Sequence, residues 1–269
     1  MAAHHTRSNS LPSRQHPLIP EFEEQLCRLK SSEEASSSTS IGCNLRGLED
    51  LHDSVEKLLL LPLNQQALSR EQNEKSIDGL LDVCNIAKDA LIQTQECAQV
   101  LQSIMRRRRT GEMELTSEVK KFLASRKMVK KAVQKAIRNL KRVENKCETA
   151  SVLSMLREVE SITLTIFESL LSFISGPKSH KRLSWFLISK MKKSSKVACE
   201  ETTESNEFES VEAALNLLIS PKMKKLDIEN AQNELQKFEL CVQDLEEGVE
   251  SLYRRLIKTR VSLLNILNH

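Results

Sequence analysis

Residues 231–256 read AQNELQKFELCVQDLEEGVESLYRRL, and their apolar members fall at Ala231, Leu235, Phe238, Val242, Leu245, Val249, Leu252 and Leu256. Steps of four and three alternate throughout, which keeps these side chains on one stripe of an α-helix for about three and a half heptads. Extended in both directions, the pattern predicts one helix from about Lys222 to His269, roughly 70 Å long at 1.5 Å per residue. A lone seam of this kind fits a coiled-coil dimer. The helices predicted upstream also carry apolar stripes that need partners, so the seam is expected to close an intramolecular bundle. Gly248 costs a helix interior about 1 kcal/mol relative to Ala and points to a close helix contact.

Composition agrees with an all-α fold. The chain has 269 residues, enough for a sizeable core without staples, and carries only 6 Gly, 6 Pro and 3% aromatic residues. Alternating β-branched runs bounded by turn residues are missing, so no sheet is expected. Seven cysteines (Cys27, Cys43, Cys84, Cys97, Cys147, Cys199 and Cys241) are scattered singly. Without a CxxC pair or a nearby His at ligand spacing, they read as reduced thiols packing as small hydrophobes in a cytosolic or nuclear compartment.

Reading upstream from the seam, residues 1 to about 20 mix Ser, His, Pro and Arg without periodicity and are expected to be disordered. A short helix is expected from Glu21 to Lys30. The Ser-rich tract Ser31 to Ser40 then reads as a flexible linker, so residues 1–40 form a tail and the bundle domain is expected to span 41–269. A helix carrying Leu48, Leu51, Val55, Leu58 and Leu59 should stop near Pro62. The next should run from a Ser69 cap to Arg109 and end at Gly111. A third should start near Ser117, with Val119, Leu123, Val129, Val133, Ile137, Leu140 and Val143 inward. A fourth should span Ser151 to Ser175 and stop at Gly176-Pro177. A second linker is expected over about 194–206, then a helix from Glu207 to Ile219. Together these predict an elongated antiparallel bundle of long helices with a disordered N-terminal tail.

Chemistry is harder to find. His4, His5, His16, His52, His180 and His269 are dispersed, and neither GxSxG nor a phosphate-cradling glycine loop occurs. The protein is expected to be no enzyme and to need no cofactor or metal. The N-terminus has no apolar run that would make a secretory signal or membrane anchor, so a cytoplasmic location is expected, with membrane periphery and nucleus as alternatives.

Three segments invite partners. Arg7, Ser8, Ser10 and Pro12 form RSxSxP, which resembles the phosphopeptide motif bound by 14-3-3 proteins. Phosphorylation of Ser10 would add about −2 charge for an arginine cluster to recognise. The alternative is a Ser-rich tail with no docking role.

Between Arg106 and Lys146 stand fifteen Lys or Arg and four acidic residues. Lys127, Lys131 and Lys135 share one helical face, with Arg138 and Arg142 beside them and Arg106, Arg107, Arg108 and Arg109 at the preceding helix end. This face is either neutralised by acidic helices elsewhere or docks an acidic protein or anionic lipid. Nucleic acid is disfavoured, because no aromatics interleave the cations for stacking. The third segment holds Trp185 and Phe186, with Lys190, Lys192 and Lys193 following. It suits an anionic membrane interface or, alternatively, fills the core at a helix connection.

Blocks spread along the chain carry a family resemblance. Residues 7–13 read RSNSLPS with His16-Pro17-Leu18, and residues 245–267 read LEEGVESLYRRLIKTRVSLLNIL. Between them stand Leu61-Pro62-Leu63 with Gln65-Gln66-Ala67-Leu68, Leu81-Asp82-Val83-Cys84 with Ala87-Lys88-Asp89-Ala90-Leu91, and Ser117-Glu118-Val119-Lys120-Lys121. These resemble the plant family labelled domain of unknown function 241, the BYPASS-related proteins. The resemblance implies an intracellular plant protein acting in root and shoot development, with no assigned reaction and no catalytic residues. One departure stands at Asp78-Gly79, where relatives insert a few more residues and the register before Leu81 is expected to shift.

Overall fold

The computed structural model describes residues 16–32, 37–68, 74–107, 112–140, 151–176, 206–220 and 224–268. Among them are eight α-helices and no strand, packed antiparallel as the stripes require. In chain order they are α1 (Leu18–Ser31), α2 (Ser38–Leu59), α3 (Pro62–Leu68), α4 (Glu74–Arg106), α5 (Glu112–Leu140), α6 (Ser151–Ser175), α7 (Glu207–Leu217) and α8 (Lys225–Leu267).

The seam helix α8 is the axis of the bundle. Its eight stripe residues are at most 1% exposed, and the stripe continues through Thr259, Leu263 and Ile266 to the helix end. Helices α2 and α4 cover it along most of its length, and α7 covers part of it. The seam therefore packs within one chain. Gly248 packs against α2: a Cβ added there would lie 3.1 Å from Leu45 Cδ1. Ion pairs at the bundle surface, some of them half-buried, join α8 to its neighbours, Arg255 to Asp53 at 2.6 Å, Lys258 to Glu56 at 2.6 Å and Arg260 to Asp78 at 2.7 Å. Each contributes little energy in water, but together they mark one register. Helix α4 runs unbroken through Asp78-Gly79, with Ile77 and Leu80 buried on either side.

Four local results differ from the sequence pattern. Helix α1 is longer than expected and buries Phe22, Leu26 and Leu29 against α2 and α6, so packing begins well before Ile41. The end of the Ser-rich tract is a cap. Ser37 Oγ accepts from Ser40 N and Ser40 Oγ accepts from Ser37 N, both at 3.2 Å, a capping box that starts α2. Pro62 both ends one helix and opens α3, because its fixed φ and missing N–H suit a first helical position. Helix α5 starts at Glu112 rather than near Ser117, and its core takes Phe122 where Leu123 was expected; Leu123 is half-buried.

Helix α6 begins and ends where its pattern placed it. Gly176, at φ 71°, supplies the left-handed residue that closes it. Asn206 then ties the start of α7 to this point: its Oδ1 accepts from Phe208 N at 2.8 Å and its Nδ2 donates to Phe173 O at 2.9 Å. Edge-to-face rings of Phe173, Phe208, Phe238 and Phe122 continue the join into α8 and α5, with centroids 5.5, 4.8 and 6.2 Å apart.

Candidate docking face

Helix α5 has two faces of opposite character. Leu115, Val119, Phe122, Val129, Val133 and Ile137 point inward. Lys120, Lys127, Lys131, Lys135 and Arg138 stand on the opposite, exposed side. From Val119 to Leu140 the sequence holds no acidic residue, and among the described residues none of these five cations makes an ion pair. Arg138 Nε instead donates to its own helix at Gln134 O, 3.2 Å away. At 1.5 Å per residue the row is roughly 27 Å long. Ala124 and Met128 lie exposed among the cations, Met128 at 67%.

The flanks of the row are set by packing. On one side Gln93 Nε2 of α4 donates to Ser125 Oγ at 3.3 Å. On the other, Lys130 Nζ reaches Glu212 of α7 at 2.6 Å. Arg106 and Arg107 are exposed at the end of α4, beyond the N-terminal end of the row. Arg108, Arg109 and Arg142 lie outside the described residues, as do Arg7, Ser8, Ser10 and Pro12 and the segment holding Trp185, Phe186, Lys190, Lys192 and Lys193.

One cation of the basic run does not belong to this face. Arg126 is 1% exposed, inside the core. Its Nε bonds Glu212 Oε1 at 3.1 Å, its Nη2 donates to Ile174 O at 2.7 Å, and its Nη1 lies 3.5 Å from Thr94 Oγ1. The guanidinium also stacks over Phe208, 4.7 Å from the ring centroid. Burial pulls its pKa below the ordinary arginine value, and the Glu212 carboxylate acts in the other direction. This node joins α4, α5, α6 and α7. A signal for it was present: Val119, Phe122, Arg126, Val129 and Val133 alternate steps of three and four, so Arg126 occupies a stripe position.

A second buried polar group sits between α2 and α6. His52 Nε2 lies 3.3 Å from Thr163 Oγ1. The Thr163 hydroxyl directs its own hydrogen to Val159 O at 2.7 Å, so His52 is the donor and its proton is on Nε2. Among the described residues Nδ1 has no hydrogen-bond partner. Burial pushes the imidazole pKa down to about 4, so the ring is neutral. It lines a cavity of about 70 Å³ among Val55, Leu80, Val159 and Leu263. Burial also raises the Cys84 and Cys241 thiols to about 12, and Cys84 Sγ donates to Val249 O at 3.6 Å. Thiols held protonated in this way are inert packing groups.

Among the described residues no His, Cys, Asp and Glu group has the arrangement of a metal site, and no helix is long and apolar enough to cross a membrane. No curated protein and no solved structure matches the chain significantly. The family model described as Protein BPS1 matches residues 44–266, from within α2 into the last turn of α8, and with them the Leu245 block as far as Ile266. The chain belongs to the Protein BPS1 family.

Proposed function

We propose that this protein is a non-enzymatic interaction module that holds an acidic protein partner against the outer face of α5. The row of Lys120, Lys127, Lys131, Lys135 and Arg138 carries the reading: five exposed cations on one helix, without ion pairs among the described residues, steer and orient an oppositely charged surface. The N-terminal RSxSxP segment, phosphorylated on Ser10, supplies a second contact for a partner of the 14-3-3 kind. Action in root and shoot development is part of the proposal, on the strength of the family resemblance. The module works in the cytoplasm.

Charge reversal by Lys127→Glu with Lys131→Glu, compared with the wild-type chain in affinity capture from plant tissue, tests the face. Partners are expected to be lost from the variant while its helicity is unchanged; an identical partner set in both chains overturns the reading. Ser10→Ala tests the tail in the same way. Met128, exposed between Lys127 and Lys131, favours a second reading in which the face rests on anionic lipid. Salt-sensitive co-sedimentation with anionic vesicles, weakened by the same charge reversal, would select it, and loss in Trp185→Ala would bring in the Trp185-Phe186 segment.

A further inference from the structure

We infer that the α5 row accepts a single acidic α-helix laid along it, with carboxylates recurring every seven residues. The inference rests on the docking reading above and specifies the shape of the partner. Its first support is the width of the row. At 100° per residue the five cations fall within an arc of about 80°, so the positive surface is a line rather than a patch.

The flanks supply the second support. Gln93 marks the side of α4 that faces α5, and Asp89 and Glu96, four residues before it and three after, share that side. On the α7 side Glu212 accepts from both Arg126 and Lys130. Glu209 lies beside Lys130, both meeting the space next to Gly176 at 3.7 Å. The line of positive charge is therefore bordered by carboxylates on α4 and by a neutralised cluster on α7. Neighbouring helix axes stand 8–10 Å apart, about one Debye length at physiological salt. An anionic plane pressed on α5 would meet these borders as well as the row. A rod about 10 Å across meets only the row.

Register is the third support. Lys120 and Lys127 are seven residues apart, and so are Lys131 and Arg138, giving repeats of about 10.5 Å along the axis. A second helix crossing at about 20° presents its side chains with that same period. Ala124 lies between the cations and Met128 at the edge of the row, and they give such a helix small and apolar ground to rest on.

Calorimetric titration of the full chain with three probes tests the inference. The first is a synthetic 21-residue peptide with Glu at heptad positions on one face of an Ala-rich helix. The second has the same composition with Glu spread around the helix. The third is vesicles of phosphatidylcholine and phosphatidylserine. The patterned peptide is expected to bind at least tenfold more tightly than the scrambled one, with affinity that falls as salt rises. Lys127→Glu with Lys131→Glu should abolish this binding, and Lys127→Arg with Lys131→Arg should keep it. All these side chains are exposed, so circular dichroism should show unchanged helicity in each variant. Equal binding of the two peptides overturns the inference but leaves the docking reading standing. Binding of vesicles alone overturns both in favour of lipid. If no probe binds, the inference falls, and partner capture with the charge-reversed chain decides the docking reading separately.

Discussion

At His52 burial acts against one protonation state. The unfolded imidazole takes up a proton near its ordinary pKa of 6.5, whereas in the bundle it does so near 4. Between these values the unfolded chain binds more protons than the folded one, so stability falls as pH drops from 6.5 toward 4. Above pH 6.5 the contribution of His52 is fully present. At 1.36 kcal/mol per pH unit the loss over that interval is about 3 kcal/mol. Urea melts at pH 7 and pH 4.5 should show it, and His52→Leu should flatten the slope between them; an unchanged slope would place the acid sensitivity elsewhere. Arg126 presents the opposite case, a charge buried with its partner. Removing the partner leaves the charge uncompensated, so Glu212→Ala should destabilise by about 3 kcal/mol, while Arg126→Met should cost less because no bare charge remains in the core. Thermal denaturation of the two variants ranks them, and the reverse order would mean that packing around Arg126 outweighs its charge.

Among the helices, Gly42 and Gly248 make a controlled comparison. Replacing either by Ala gains about 1 kcal/mol of helix propensity. At Gly42 no described residue lies within 4 Å of the added Cβ, so Gly42→Ala should stabilise by about that amount. At Gly248 the new carbon would meet Leu45 Cδ1 at 3.1 Å and Leu45 Cβ at 3.5 Å. Overpacking of this kind costs roughly 1–3 kcal/mol, so Gly248→Ala should be net destabilising, by about 1 kcal/mol in a melt. The tight contact at Gly248 was legible in the sequence because a glycine inside so regular a helix costs propensity that a close neighbour accounts for. Apolar periodicity located α6 to the residue, since an apolar run between Ser151 and Gly176-Pro177 has clear punctuation. It failed where local chemistry or a single residue overrode the pattern. The Ser tract looked like a linker because hydroxyl side chains serve turns and caps equally well, and only the reciprocal bonds of Ser37 and Ser40 decide between them. In the α5 row, four-residue spacing put Lys127, Lys131 and Lys135 on one face. The stripe spacing marked Arg126 as inward, but not what it meets there, because its partners, Glu212, Ile174 and Thr94, come from three other helices. The flanking carboxylates of α4 escaped for the same reason.

For the whole molecule, the question is how much of the chain the bundle needs. The family match begins at residue 44, inside α2, and reading the Ser-rich tract as a linker put the boundary near Ile41. Yet α1 lies before both, with Phe22, Leu26 and Leu29 at most 5% exposed. Its neighbours join in: Leu29 Cδ2 would come within 2.7 Å of a Cβ on Gly47, Ser54 Oγ donates to Gln25 Oε1 at 2.8 Å, and Lys30 pairs with Glu158 of α6. Three large apolar side chains at about 2 kcal/mol each supply about 6 kcal/mol. Removing α1 is expected to cost about 3 kcal/mol net, the size of a single large-to-small substitution in a core. A chain beginning at Ser37 should therefore melt about 6–12 °C below one beginning at His16. Equal melting temperatures would mean that α1 merely rests on the bundle. A drop of the expected size would show that the stable unit extends beyond the part shared with the family model, with α1 sealing the side of α2 that α8 leaves open.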